Sequence, residues 1–207
     1  FWDLATGSLD PLVRQVARFR LQQLFDIVGL LEPAHVVCHT GFDPSHHRGH
    51  LELWIDRSLE TWEPLVERAR QLNTPLLLEN VWEQDRDLHR QLFHRLRSSF
   101  LGFCFDVGHQ HAFARGSLLP WLETLAPFLR AIHLHDNQGL RDDHLPVGRG
   151  TFDFQLLFGY LQKEGLNPVL TLEPHRKEDL VASLEGLGKW WHPAAAARPA
   201  EARPSKE

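Results

Sequence analysis

The sequence predicts a parallel α/β fold, and three observations carry that expectation. Short runs of strand length and apolar character lie at 34–38, 75–80, 101–105, 131–135 and 169–172. Amphipathic stretches of helical length separate them, the alternation that builds parallel β-α units with helices outside. Within the runs, apolar residues occupy both parities instead of alternating with polar ones, as expected of strands covered on two faces.

Taken in order, Ser8 or Asp10 caps a first helix with Pro11 in its opening turn. Leu12, Val13, Val16, Phe19, Leu24, Phe25 and Val28 then keep helical spacing to about Leu31, giving one broad apolar face. A strand at Ala34–Cys38 ends in His39-Thr40-Gly41 and leads into a polar loop with His46, His47 and His50. The next helix spans about His50 to Leu72, with Trp54, Ser58, Trp62, Leu65, Ala69 and Leu72 inward and a bend expected at Pro64. Pro75–Asn80 is a strand ending in Glu79-Asn80, and Asp85–Arg97 a helix with Leu88, Leu92, Phe93 and Leu96 inward. Leu101–Phe105 ends in Asp106-Val107-Gly108-His109, and a helix from Ser117 to Leu129 is interrupted near Pro120 and Pro127. The strand Ala131–His135 follows, then a loop, a helix at Phe152–Glu164, a strand at Val169–Leu172 running into Glu173-Pro174-His175, and a helix at Glu178–Trp191. The ordered domain is expected over 1–191. Residues 192–207, rich in Ala, Pro and charge, read as a disordered tail.

Five strands are too few for a closed eight-stranded barrel. Either two or three precede residue 1 and a short one lies near Leu145–Gly148, or the sheet is open. The chain has no methionine and opens on Phe-Trp-Asp-Leu, so a preceding portion is expected.

Composition bounds the function. With 207 residues, 43% hydrophobic and 24% charged, the chain is an ordinary globular domain. A formal charge of -5 provides no global attraction for a phosphate backbone, so nucleic acid is not the default partner. Cys38 and Cys104 sit in strand-like runs and read as buried core thiols of a reducing compartment. Neither a membrane span nor a secretion signal is visible, so the expected location is the cytoplasm.

Fourteen histidines are more than usual, and several fall where strands end. His39, Glu79, Asp106 with His109, His133 with Asp136, Asp142 with His144, and Glu173 all occupy strand ends or the loops behind them. In a parallel barrel those ends converge on one rim. Mixed imidazole and carboxylate donors suit Zn or Mn better than Ca or Mg. Asp106 and His109, three apart, can present oxygen and nitrogen to one ion, and Asp142 and His144, two apart in an extended loop, can do the same. Glu79 or Glu173 would bridge ions or move a proton. Singly, a strand-end histidine is more often a hydrogen-bonded rim residue than a ligand, and a buried strand Glu more often pairs with Arg. Coincidence over five strand ends favours metal. His46, His47, His50, His89, His94 and His192 read as solvated surface, whereas His111 and His175 lie near enough to the rim to touch substrate. Arg149, between Gly148 and Gly150, faces a phosphate or carboxylate of the substrate or is an ordinary surface arginine.

The ordered series VVCHTGF, LLLEN, FCFDVGH, IHLHDN with Asp-x-His and Gly-x-Gly, and TLEPH resembles the xylose isomerase-like TIM barrels over nearly all of residues 1–190. The resemblance implies a (β/α)8 barrel lacking its first one or two β/α units in this chain. It also implies Glu79, Asp106, His133 and Glu173 as metal ligands, the two glutamates forming an acid/base pair that moves a proton beside a carbonyl through a metal-stabilised enediolate. His109, Asp136 and Arg149 would contact substrate. In the endonuclease IV branch, which acts on phosphodiesters at abasic (AP) sites, the same four ligands are joined by His39, His109, Asp142 and His144, so that one to three ions are implied. A further family histidine would fall just before Phe1, and Arg149 stands where the endonuclease motif favours an acidic residue. The resulting expectation is a sugar, sugar phosphate or polyol isomerase or epimerase, with a homodimer as a candidate assembly. The alternatives are an AP endonuclease-like phosphodiesterase and an inactive barrel fragment.

Overall fold

The computed structural model describes residues 4–47 and 49–191. Five parallel strands form one sheet in sequential order: β1 Val36–His39, β2 Leu76–Glu79, β3 Leu101–Asp106, β4 Leu129–Leu134 and β5 Val169–Leu172. The intervening helices are α1 Pro11–Leu31, α2 Pro44–His47, α3 Leu51–Gln71, α4 Asp87–Leu96, α5 Val107–Phe113, α6 Leu118–Leu125, α7 Phe154–Lys163 and α8 Asp179–Leu187. Each strand thus pairs with the next across a helical crossover, the β/α arrangement of a TIM barrel. No described helix is long and apolar enough to cross a membrane.

Strand parity divides the sheet into two faces, because successive side chains point to opposite sides. Val36, Leu76, Leu78, Phe103, Phe105, Ile132 and Leu134 belong to the large cluster shared with the helices. The other parity carries Leu77, Cys104 and Ala131, a small apolar layer with Val37 packed on it. Two residues further along those same faces come His39, Glu79, Asp106 and His133, so the metal-type side chains stand above an apolar floor. Both cysteines are buried and free, as expected, and burial pushes the Cys38 thiol up to about 12.

Asp10 caps α1 by accepting from Leu12 N at 2.8 Å. The face that α1 buries is not the broad one expected. Ala17, Leu21, Phe25 and Val28 are buried, whereas Leu12, Val13, Val16 and Phe19 are 40–68% exposed. The rotation follows Arg14, which is buried, pairs with Glu60 of α3 at 3.2 Å, and donates to the Ser8 and Leu9 carbonyls. In α3 the expected face holds, with Trp54 and Trp62 fully buried and the helix continuing through Pro64.

Three other expectations are corrected. A seven-residue helix, α5, starts directly at the end of β3, because Asp106 accepts from His109 N at 2.7 Å and caps it. No strand forms at 145–148; Leu145 makes only an isolated antiparallel bridge with Asp136. The 44–47 segment is a one-turn helix, in which His46 is exposed and pairs with Asp43 while His47 is half-buried against Phe42 and Trp54. The tail reading at 192–207, including His192, lies outside the described residues.

His89, expected in solvent, is completely buried beside Phe93, Phe103 and Trp121, and neither ring nitrogen completes a hydrogen bond. Burial lowers its pKa below 6.5 against the opposing pull of Glu83, Glu79 and Asp85. The unfolded chain therefore takes up this proton first as pH falls, so the stabilising contribution is complete above about 6.5 and is lost below it. In acid titrations followed by thermal melting, His89→Leu is expected to flatten the loss of stability between about pH 6.5 and 5. An unchanged slope would exclude His89 as its source.

Candidate metal centre

The first cluster stands on the strand ends. Glu79, Asp106 and His133 each offer a ligand atom within 4.8 Å of the others. His133 Nδ1 lies 3.2 Å from Glu79 Oε1, 3.0 Å from Glu173 Oε1 and 3.9 Å from Asp106 Oδ2. One imidazole between three carboxylates, two of them almost fully buried, leaves negative charge that water does not solvate. Burial alone would lower the His133 pKa, but Glu79, Glu173 and Asp106 raise it. The Glu79 carboxyl, which burial alone would raise, is held well below the usual range by His133 and His39. Glu173 moves upward, chiefly through burial, with His133 opposing the shift and the like charges of Asp106 and Glu79 adding to it. The donor set fits a borderline divalent cation.

His39 reaches this cluster only through Glu79, at 3.4 Å, and its side chain is 44% exposed. Asn80 fixes Asp106 from behind: its side-chain amide donates to the Asp106 carbonyl and its carbonyl oxygen accepts from Asp106 N, both at 2.9 Å. Sequence reasoning gave Asn80 no role.

The second cluster joins His109, His135, Asp142 and His144. His109 Nε2 and His144 Nε2 lie 3.3 and 3.2 Å from Asp142 Oδ2. Their other nitrogens face backbone carbonyls, Nδ1 of His109 that of Asn80 at 3.0 Å and Nδ1 of His144 that of Glu173 at 2.7 Å. A carbonyl only accepts, so each Nδ1 donates there, and each Nε2 faces the Asp142 carboxylate, to which it donates while the ring is protonated. Burial opposes a charged His109, but Asp142, Asp106 and Glu79 push its pKa up to about 10, and the same acidic surroundings raise His144. Asp142 is held far below the usual carboxylate range against its own burial, by hydrogen bonds to His109 and His144. His144 adopts a left-handed backbone at φ 48° instead of the extended one expected, yet it still reaches Asp142.

Two of the residues expected to contact substrate are buried. Asp136 is fully buried and accepts four backbone N–H groups, from Asn137, Gly148, Gly150 and Phe152 at 2.7–3.1 Å. With its lone pairs engaged it organises the loop that carries Asp142 and His144. His109 is nearly buried between the Asn80 carbonyl and Asp142. Arg149 is exposed, which leaves it available to an anion. His111 is tied to Thr151 at 2.8 Å, and His175 stacks on His144 with centroids 3.6 Å apart.

Sequence reasoning also missed His135. The signal was there: His133 and His135 are two apart at one strand end, so both point the same way.

Comparison with known proteins places this geometry in context. The chain is 33% identical to the TTHB071 protein from Thermus thermophilus, solved after soaking with ZnCl2, with a TM-score of 0.76 over 92% of this chain and 74% of that one. It is 25% identical to a D-tagatose 3-epimerase-like protein, with a TM-score of 0.80 and the same two coverages. Over 84% of this chain and 71% of the other, it is 25% identical to a probable endonuclease 4 of Mycobacterium leprae. The sequence model of one family matches residues 3–196, so nearly all the elements described above fall within it. This chain belongs to the xylose isomerase-like TIM barrel family.

Proposed function

We propose that the protein is a divalent-metal-dependent isomerase or epimerase of a sugar, sugar phosphate or related polyol. The observation that carries this reading is the placement of Glu79 and Glu173 on one imidazole, each with Oε1 about 3 Å from His133 Nδ1. Two carboxylates whose environments push their proton affinities apart are suited to exchange proton donor and acceptor roles. A divalent ion, Zn or Mn, held by Glu79, Asp106, His133 and Glu173 would polarise the carbonyl and hydroxyl oxygens of the substrate. One glutamate, in its ionised form, removes the proton from the carbon beside the substrate carbonyl. The other, in its protonated form, returns a proton to the neighbouring carbon or to the opposite face of the same one, and the two roles exchange with the direction of the reaction. Asn80 holds Asp106 in place throughout, and Arg149 is positioned to meet a substrate phosphate if there is one. The epimerase-like relative supports the same reading.

A second reading is a phosphodiesterase of the endonuclease IV type. The observation favouring it is the second ligand cluster, which a one-ion epimerase does not need, together with the likeness to the Mycobacterium leprae protein.

The two are separated by assaying the metal-loaded protein on a ketose panel and on a duplex containing an abasic site. Ketose turnover is expected, abolished by EDTA and restored by Zn or Mn. Cleavage of the duplex without ketose turnover would transfer the assignment to the second reading, and neither activity would indicate an inactive barrel.

A further inference from the structure

We propose that Trp82, with Phe113 beside it, forms the subsite for the end of a ketose remote from the reacting carbons, an indole face on which the C–H face of a six-carbon sugar stacks. The proposal rests on the isomerase or epimerase reading and adds to it the length of substrate that the site selects.

The indole sits where a core residue would not. Trp82 is 40% exposed, and neither it nor Phe113 belongs to the apolar core cluster or packs against it. Trp54, Trp62 and Trp121 are buried. An aromatic side chain left at the rim keeps its apolar face free for a ligand.

Two routes connect this ring to the Glu79 carboxylate. The first is a row of rings. His109 and Phe113 are one turn apart on α5 and share a face, with centroids 6.1 Å apart and planes at 28°. Phe113 lies 4.5 Å from Trp82, which follows Glu79 by three residues in the loop after β2. His109 Nδ1 is 3.7 Å from Glu79 Oε1, so the row runs from the proton-transfer pair out to the rim. The second route is a cavity of about 240 Å3 that Trp82 lines together with His39, Phe42 and Asp43. His39 Nε2 stands 3.4 Å from Glu79 Oε2. The loops that carry the two rings are tied to each other, because Arg115 N donates to the Gln84 carbonyl at 2.7 Å, so the pair is set before any ligand arrives.

This lining matches a sugar. A ketose presents C–H bonds on one face and hydroxyls around its edge, and here an indole can cover the first while the Asp43 carboxylate accepts from the second. The cavity falls just under the roughly 300–1,000 Å3 of drug-sized sites, which suits one monosaccharide better than a polymer. Two ring steps separate Trp82 from His109, so it meets carbons far from the carbonyl. A contact to carbons that do not react is made equally in the ground and transition states, and it lowers KM without raising kcat.

The test compares two sugars on the Zn- or Mn-loaded protein. One is whichever of fructose, tagatose, psicose and sorbose is exchanged fastest, measured by kcat and KM. The other is the ketotetrose erythrulose, measured by its inhibition constant against that ketohexose; it keeps the carbonyl and the adjacent C–H but lacks the remote carbons. Trp82→Ala is expected to raise KM for the ketohexose about tenfold with little change in kcat, the scale of a lost aromatic stacking contact, while the erythrulose constant changes less than about twofold. Trp82→Phe is expected to recover KM to within about threefold of the parent. Because Trp82 is exposed, both variants are expected to melt as the parent does. Equal weakening of both sugars would make Trp82 a structural residue, and an unchanged KM would separate it from the sugar; either result overturns the subsite while the isomerase reading stands. A parent that exchanges none of these ketoses fails at the isomerase reading itself, and the subsite falls with it.

Discussion

Replacing Glu173 by Gln is expected to lower turnover by about 10²–10⁴-fold, the usual contribution of a positioned proton-transfer group, with little change in melting temperature. The side chain is partly exposed at the end of β5, so the amide is accommodated without burying a new unsatisfied group. Its present contacts are to His133 and, through its backbone carbonyl, to His144. The amide can neither take a proton from carbon nor return one. If the loss falls on kcat and the metal remains bound, Glu173 acts on the substrate. Unchanged turnover would remove it from the proton-transfer pair.

The second large effect is structural. Asp136→Ala leaves four N–H groups, those of Asn137, Gly148, Gly150 and Phe152, without their acceptor in a buried loop. An unpaired buried donor costs about 1–3 kcal/mol, so even with partial relaxation the expected destabilisation is about 4 kcal/mol or more. Gly150 shows how tightly the loop is drawn, because a Cβ there would lie 2.2 Å from the Asn137 carbonyl and 2.4 Å from Asp136 Oδ1. Asp142 and His144 lie between the residues that Asp136 ties together, so the variant is also expected to lose metal from the second cluster. Denaturant melts and metal content measure the two effects independently. A loss of less than about 1 kcal/mol would mean that water replaces the carboxylate and that Asp136 is not the organiser of the loop.

The five strands and the rim were legible because their signals are local. Each apolar run ends in a chemistry-bearing residue, and parallel pairing in sequential order brings those ends together. Helix α5 escaped notice because Gly108 is a poor helix former and the element is held by its Asp106 cap and its packing on β4. The buried face of α1 depends on which helix it meets, and an Arg14–Glu60 pair 46 residues apart in sequence does not appear in a hydrophobic pattern. His89 could have been placed, since it shares the helical face of Leu92 and Phe93. Reading it as polar surface weighed residue type above position.

Within the site, the ligand-type residues were legible as a set but their division was not. Separating them into a Glu79 cluster and an Asp142 cluster depends on the orientation of imidazoles fixed by Asn80 O, Glu173 O and Asp106, partners 29 residues away in sequence. Asp136 looked like another rim carboxylate, and only the fold of the loop revealed its partners as backbone N–H donors.

The most direct measurement is solvent isotope exchange: the Zn- or Mn-loaded protein is incubated with the ketose panel in D2O, and deuterium is located by mass spectrometry and NMR. Incorporation at a carbon beside the carbonyl is expected for at least one ketose, lost on metal removal and in Glu173→Gln. Absence of exchange from every ketose, with the ions bound and an abasic-site duplex cleaved by the same preparation, would contradict proton transfer between Glu79 and Glu173.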